Sequence, residues 1–280
     1  MPSAVRTMEL VDISSAMELS AIANWNQTPE DWRRVMELSP GGCRCIDDGG
    51  RIVATTSLLP YGTQLAWIGM VLTRPEYRRQ GLARQLMEDG MAMAKRIGIR
   101  TLKLDATDQG RPLYESLGFV VEEAVERWGR DGDTSLVTQA KPGPDGDGSS
   151  KLCDGSFAQD LAAFGADRRG LLEALAATGG CNASESGYVL SRPGRVARYL
   201  GPCVANSEEE ARRLIAAHLD AAAGDRNHWY WDLLPANAGA VRCATEFGFT
   251  RRRILWRMCY GDAIINKDAA VYAIAGFELG

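Results

Sequence analysis

The stretch Met70-Val71-Leu72-Thr73-Arg74-Pro75-Glu76-Tyr77-Arg78-Arg79-Gln80-Gly81-Leu82-Ala83-Arg84 carries the reading of this chain. An apolar strand breaks at Pro75, turns through a basic run and enters a helix at Gly81. A helix N-terminus offers unpaired backbone N–H groups and a partial positive charge, which together suit a phosphate. Gly81 lets the backbone approach a bulky anion, Ala83 adds little obstruction, and Arg78, Arg79 and Arg84 supply charge. A basic loop that merely caps the helix is the plainer alternative. Arginines there oppose the helix dipole, however, so three of them need a reason. A diphosphate ligand provides one. A nucleotide P-loop is excluded, because G-x-x-x-x-G-K-[ST] is absent.

Working outward, Leu65–Leu72 is nearly all apolar, as expected of a central strand covered on both faces. The helix after Gly81 repeats apolar or small residues at Leu82, Leu86, Gly90, Met93 and Ile97, with Glu88, Asp89, Lys95 and Arg96 facing away. Ile13–Ile22 and Pro29–Glu37 read as helices. Arg44–Ile46 and Ile52–Leu59 read as a hairpin turning at Asp47-Asp48-Gly49-Gly50. Thr101–Leu104 and Phe119–Trp128 are predicted to complete the sheet.

The second half echoes the first. WIGMVL (67–72) matches YLGPCV (199–204), LKLDAT (102–107) matches WYWDLL (229–234), and PGGCRC (40–45) matches TGGCNA (178–183). Leu117-Gly118-Phe119 precedes Arg127-Trp128 as Phe247-Gly248-Phe249 precedes Arg257-Met258. Markers in the same order indicate a duplication. The expected fold class is α/β (α+β), with tandem lobes that are each a mixed, mostly antiparallel sheet flanked by helices. A Gly-, Pro-, Asp- and Ser-rich stretch places domains at 1–140 and 156–280, with a linker over 141–155.

A length of 280 residues suits two lobes of about 130 residues each. The net charge of −4 argues against nucleic acid held by bulk charge. No apolar run approaches the roughly 20 residues of a membrane span, and MPSAVRTMELVD lacks a secretory design. A cytoplasmic protein with neither a nucleic-acid nor a membrane partner is expected. Seven scattered cysteines without a C-x-x-C pair, and two histidines, argue against a metal and for reduced, buried thiols. The oligomeric state is left open, a homodimer included.

Arg78-x-x-Gly81-x-Ala83 after a strand resembles the Q/R-x-x-G-x-G/A signature of the GNAT superfamily of N-acetyltransferases. Pro112-Leu113-Tyr114-Glu115-Ser116-Leu117-Gly118-Phe119 resembles that family's tyrosine-bearing helix and the strand after it. The whole chain, including NQT at 26–28, is similar to two-lobed, YitH-like GNAT proteins. The resemblance implies acetyl-coenzyme A as cosubstrate, without a metal. Met70, Val71 and Leu72 would pair with its pantetheine arm, and a strand N–H, that of Val71, would polarise the thioester carbonyl. Amides of Arg79, Gln80, Gly81, Leu82, Ala83 and Arg84 would hold the pyrophosphate beside Arg78. Tyr114 would protonate or hydrogen-bond the departing thiolate, although a half-buried tyrosine packing on the sheet would look the same.

The general base stays open among Asp105, Glu278, the carboxylate at Gly280 and a water chain. Asp105 serves equally as a loop-fixing acceptor. Trp25, Asn26, Gln27 and Trp32 are candidates for the acceptor cleft, or for core. In the first copy 14 positions separate Gly69 from Ala83; in the second, 10 separate Gly201 from Ala211, so the phosphate loop is missing. Ser207-Glu208-Glu209-Glu210 resembles a capping box, and Cys243 or Ala244 falls where Tyr114 stands in the first copy. The expected function is acetylation of a small-molecule amine in the N-terminal lobe. The alternatives are acetylation of a protein or peptide, and a non-catalytic acyl-CoA-binding module.

Overall fold

The computed structural model describes residues 2, 4–132, 151–222, 228–264, 266 and 268–280. The first half runs β1 (Arg6–Thr7), α1 (Ile13–Ile22), α2 (Pro29–Leu38), β2 (Cys43–Asp48), β3 (Arg51–Tyr61), β4 (Leu65–Thr73), α3 (Leu82–Arg96), β5 (Thr101–Ala106), α4 (Arg111–Ser116) and β6 (Val120–Arg130). The second runs α5 (Asp154–Phe164), α6 (Arg169–Thr178), β7 (Gly180–Ser184), β8 (Gly187–Arg192), β9 (Arg198–Ala205), α7 (Glu208–Ala221), β10 (Trp229–Leu233), α8 (Ala238–Glu246), β11 (Thr250–Tyr260) and β12 (Val271–Ala273). From α1 and α5 onward the two halves share one order of elements. Residues 141–150 of the expected linker lie outside the described residues, and Asp154 already opens α5.

Local chemistry accounts for several boundaries. Pro29 stands at the first turn of α2, where Thr28 accepts from the Asp31 N–H at 3.2 Å and Asp31 accepts from the Thr28 N–H at 2.8 Å. Gly49 and Gly50 take φ of 61° and 83°, the two positive values a tight hairpin turn requires.

One expectation is overturned. Phe119–Trp128 does not complete the sheet of its own half. The strands form one continuous sheet in the order β1-β2-β3-β4-β5-β11-β6-β10-β9-β8-β7, with β12 paired to β9. The halves therefore exchange their last long strands: β11 binds β5, and β6 binds β10. Two buried ion pairs hold the exchange. Arg257 of β11 forks onto Asp105 of β5 at 3.0 and 3.2 Å, and Arg127 of β6 forks onto Asp232 of β10 at 2.7 and 2.6 Å. Because the repeated strands are so alike, each suits the other's sheet. A hydrophobic cluster drawn from both halves, including Ile13, Trp32, Leu59, Leu172 and Tyr188, fills the space beneath.

Candidate active site

β4 and β5 pair in parallel only at Leu65↔Thr101, Ala66↔Leu102 and Trp67↔Lys103. Both strands then continue, β4 held by β3 as far as Thr73 and β5 by β11 as far as Ala106. Their facing edges splay into a slot whose backbone groups lack a ladder partner. The register of β3 on β4 shifts between Thr55 and Ser57, and Met70 takes φ of 51° opposite that shift. A left-handed methionine is a strained residue, of the kind that clusters at functional sites. Thr55 secures it by donating its hydroxyl to the Met70 carbonyl at 2.8 Å. The slot opens into a cavity of about 800 Å³, which Met70, Val71 and Leu72 all line.

At one end of the cavity lies the N-terminus of α3. Gly81 is its cap, at φ 83°, with no side chain closing the helix end, and Arg79 is left-handed at φ 61°. Left-handed residues beside a helix start gather N–H groups into an anion-binding concavity. A Cβ placed on Gly81 would meet nothing within 4 Å, so the space above the backbone is open. Arg78, Arg79, Gly81, Leu82, Ala83 and Arg84 line this end. The Leu82 side chain points into core with Ile46, Val53 and Leu86, which leaves its backbone for the cavity. Gln80 is not in the wall, and its amide donates to the Glu76 carbonyl at 3.2 Å. Arg78 donates to the Thr73 carbonyl at 3.3 Å and Arg84 to the Ser116 hydroxyl at 2.7 Å.

Tyr114 of α4 lies in the middle of this wall, its ring against Gly110, where an added Cβ would approach to 3.1 Å. Among the described residues its hydroxyl has no hydrogen-bond partner. Burial raises its pKa above the ordinary tyrosine value, so it stays protonated.

The opposite end receives Trp25, Asn26, Gln27 and Asp105 from the first half, as the sequence suggested. Their parts differ from the expectation. Asn26 is spent on the other half, accepting from the Val196 and Ala197 N–H groups and donating to the Ala197 carbonyl at 2.8 Å. Asp105 is locked by Arg257; burial raises its pKa against the pull of that charge. Trp32 is a correction: it is fully buried in the shared core and does not line the cavity, because the inner face of α2 packs there.

The tail is docked on the first half. Tyr61 donates to the Leu279 carbonyl at 2.5 Å, and the Trp67 indole to the Phe277 carbonyl at 3.0 Å. Glu278 lines the cavity, yet one carboxylate oxygen accepts from Arg192 at 2.6 Å and the other is sealed from solvent. The Gly280 oxygen accepts from Arg168 at 2.9 Å, away from the slot. Sequence reasoning missed Arg127, Arg253, Leu255 and Phe277, which complete this end. The signal available was the repeated Arg-rich strand; what hid it was the strand exchange.

The equivalent slot in the second half is filled. β12 lies antiparallel along β9, with Val271↔Val204 and Ala273↔Cys203, and Ile274 donates its N–H to the Asp232 carbonyl at 2.9 Å. The protein's own chain occupies the place between β9 and β10 that the first half leaves open. Ser207 caps α7 by accepting from the Glu210 N–H at 3.2 Å. The expected reciprocal bond is absent, because the Glu210 carboxylate goes to Ser184 and Arg213. Cys243 and Ala244 are wholly buried. His218 is a core histidine, its Nδ1 2.6 Å from Asn182 Oδ1, and burial lowers its pKa to about 4. The cysteines are unpaired and mostly buried, although Cys153 is exposed.

Residues 11–119 match the family model "Acetyltransferase (GNAT) family", and residues 157–273 match "Acetyltransferase (GNAT) domain". The chain is 28% identical over 275 residues to the uncharacterized N-acetyltransferase YitH of Bacillus subtilis (strain 168), spanning 96% of this chain and 95% of that one. Its fold is similar to the crystal structure of a Pyrococcus horikoshii protein named as an acetyltransferase, with a TM-score of 0.85, 22% identity and coverage of 99% and 95%. It is also similar to a tandem GNAT protein from the clavulanic acid biosynthesis pathway, with a TM-score of 0.66, 14% identity and coverage of 93% and 98%.

Proposed function

Because the chain belongs to the GNAT family of acetyltransferases, with a domain of that family in each half, we propose that it moves acetyl from acetyl-coenzyme A to the amine of a small molecule, at one site in the N-terminal lobe. The observation that carries this reading is the pairing of an open strand edge at residues 68–73 with an uncapped helix start at Gly81 in one cavity. The residues suit the coenzyme. The slot offers main-chain groups to an amide-bearing arm, and the open space over Gly81 admits a diphosphate among arginines.

When bound, acetyl-coenzyme A supplies an activated acyl group and a thiolate leaving group. The β4 main chain at Val71 orients the thioester and donates to its carbonyl oxygen. Tyr114 gives a proton or a hydrogen bond to the departing sulfur; being protonated and otherwise unpartnered, it can do either. Asp105 is held through both oxygens by Arg257, and Glu278 through one by Arg192 with its other oxygen sealed from solvent, so in this reading water in the cavity takes the amine's proton. A small acceptor is our reading over a protein, since residues of β11 and the tail, Arg253, Leu255, Phe277 and Glu278, line that end.

No helix among the described residues is long and apolar enough to cross a membrane; a cytoplasmic place remains part of the proposal. The test is a panel of amines with acetyl-coenzyme A, followed by free thiol release. Thiol release that depends on the amine supports the reading, and coenzyme binding without turnover of any amine contradicts it.

A further inference from the structure

We propose that the acceptor is an anionic amine, a primary amine that also carries a carboxylate or phosphate, and that Arg253 holds the negative group. This rests on the reading of the cavity as an acetyl-transfer site. The carboxylates and arginines at the acceptor end can be paired off one by one. Asp105 is taken by Arg257, Arg127 by Asp232, and Arg192 by Asp31 and Glu278. Asp105 and Glu278 are the acidic residues among the lining. Asp105 is paired through both oxygens with Arg257, and Glu278 through one with Arg192 while its other oxygen, without a hydrogen-bond partner, is sealed from solvent, so a polycation would find no exposed carboxylate there.

Arg253 differs from every one of these arginines. It projects from β11, lines the cavity and is half-buried, yet among the described residues it has neither an ion pair nor a hydrogen bond. Its neighbours on the same strand do find carboxylates: Arg251 meets Glu126 at 3.0 Å, and Arg252 meets Asp131 at 3.4 Å. Burial lowers the pKa of Arg253, and the nearby charge of Arg127 adds to the effect; the Asp232 carboxylate opposes it only in part, being itself paired with Arg127. Its guanidinium carbon lies 5.6 Å from the centre of the Phe277 ring. Stacking of this kind uses the face of the group and leaves the planar fork of N–H donors for a carboxylate or phosphate. Desolvating a cation without an anion is unfavourable unless a ligand completes it. The coenzyme's phosphates have their own cations, Arg78, Arg79 and Arg84, at the far end, so Arg253 is left for the acceptor.

The experiment uses matched amines on the intact protein: an amino acid, its carboxamide and its decarboxylated amine; an amino sugar and its phosphate ester; and spermidine. Thiol release is measured for the wild type, Arg253→Gln and Arg253→Lys, with acetyl-coenzyme A affinity by calorimetry as the control. Anionic members should exceed their neutral partners in kcat/KM by about 10- to 100-fold, the size of a charge-assisted bidentate contact. The amino-acid and phosphate arms tell which anion is meant. Arg253→Gln should erase that preference through KM with coenzyme affinity unchanged, and Arg253→Lys should keep part of it. A preference for neutral or cationic amines, an equal loss for all amines in Arg253→Gln, or no anionic amine acetylated although the coenzyme binds, overturns the proposal. Absence of coenzyme binding overturns the transferase reading first, and this proposal with it.

Discussion

At the scale of single residues, the proposed mechanism divides its chemistry between Tyr114 and Gly81. Tyr114→Phe keeps the ring against Gly110 and removes only the hydroxyl, so kcat should fall by roughly 10²-fold while coenzyme affinity holds. Rapid-mix kinetics with calorimetry checks both halves of that statement. A charge at residue 81 would enter the open space over the helix start, so Gly81→Glu should lose coenzyme binding. The left-handed φ of 83° costs the new side chain about 1 kcal/mol of stability, too little to unfold the protein. His218 governs a pH effect far from the site. Its folded pKa of about 4 lies below the ordinary value of 6.5, so the unfolded chain binds more protons between those limits. Stability is then full above pH 6.5 and declines as pH falls toward 4, by about 2 kcal/mol between pH 7 and 5. Urea midpoints at the two pH values should show this loss, and His218→Gln should reduce it. Gly81 was legible because a left-handed helix start demands a glycine, and Tyr114 only through the resemblance of its motif, since a packing tyrosine would look the same. The isolation of Arg253 was not, since nothing local distinguishes it from Arg251 and Arg252.

At the scale of elements, one slot is open and its counterpart is plugged. The sequence carried half of this contrast: the missing phosphate loop and the Ser207 cap set the second half apart from the first. The β12 plug was illegible, because Val271–Ala273 is a short apolar run that could pair with many strands. From that plug the chain turns into the wall of the first lobe's cavity, where Arg192 grips Glu278 and Trp67 grips Phe277. Removing residues 278–280 would leave Arg192 short of a partner in the core, a loss of about 3–5 kcal/mol. Turnover at temperatures where the truncated protein remains folded should also drop, since the acceptor end loses a wall. Kinetics that match the full chain there would show that the tail serves stability alone.

At the scale of the whole molecule, exchange of β6 and β11 makes the halves mutually dependent. Residues 1–140 produced alone would present β5 without β11 and bury Asp105 without Arg257, so they should fail to fold, and the full chain should melt in a single calorimetric transition. The sequence predicted strands at Thr101–Leu104 and Phe119–Trp128, and their echoes in the second half, but could not say which half each would join, because the two copies offer interchangeable edges. Dependence of this kind also gives the second half a part in the first half's cavity, to which it supplies Arg253, Leu255 and the tail. The central claim is one diphosphate seat per chain, at Gly81. Titration of acetyl-coenzyme A by calorimetry into the wild type and Gly81→Glu tests it most directly. Heat saturating at one coenzyme per chain, and abolished by the substitution, is the expected result; two coenzymes per chain, or undiminished binding in Gly81→Glu, would contradict it.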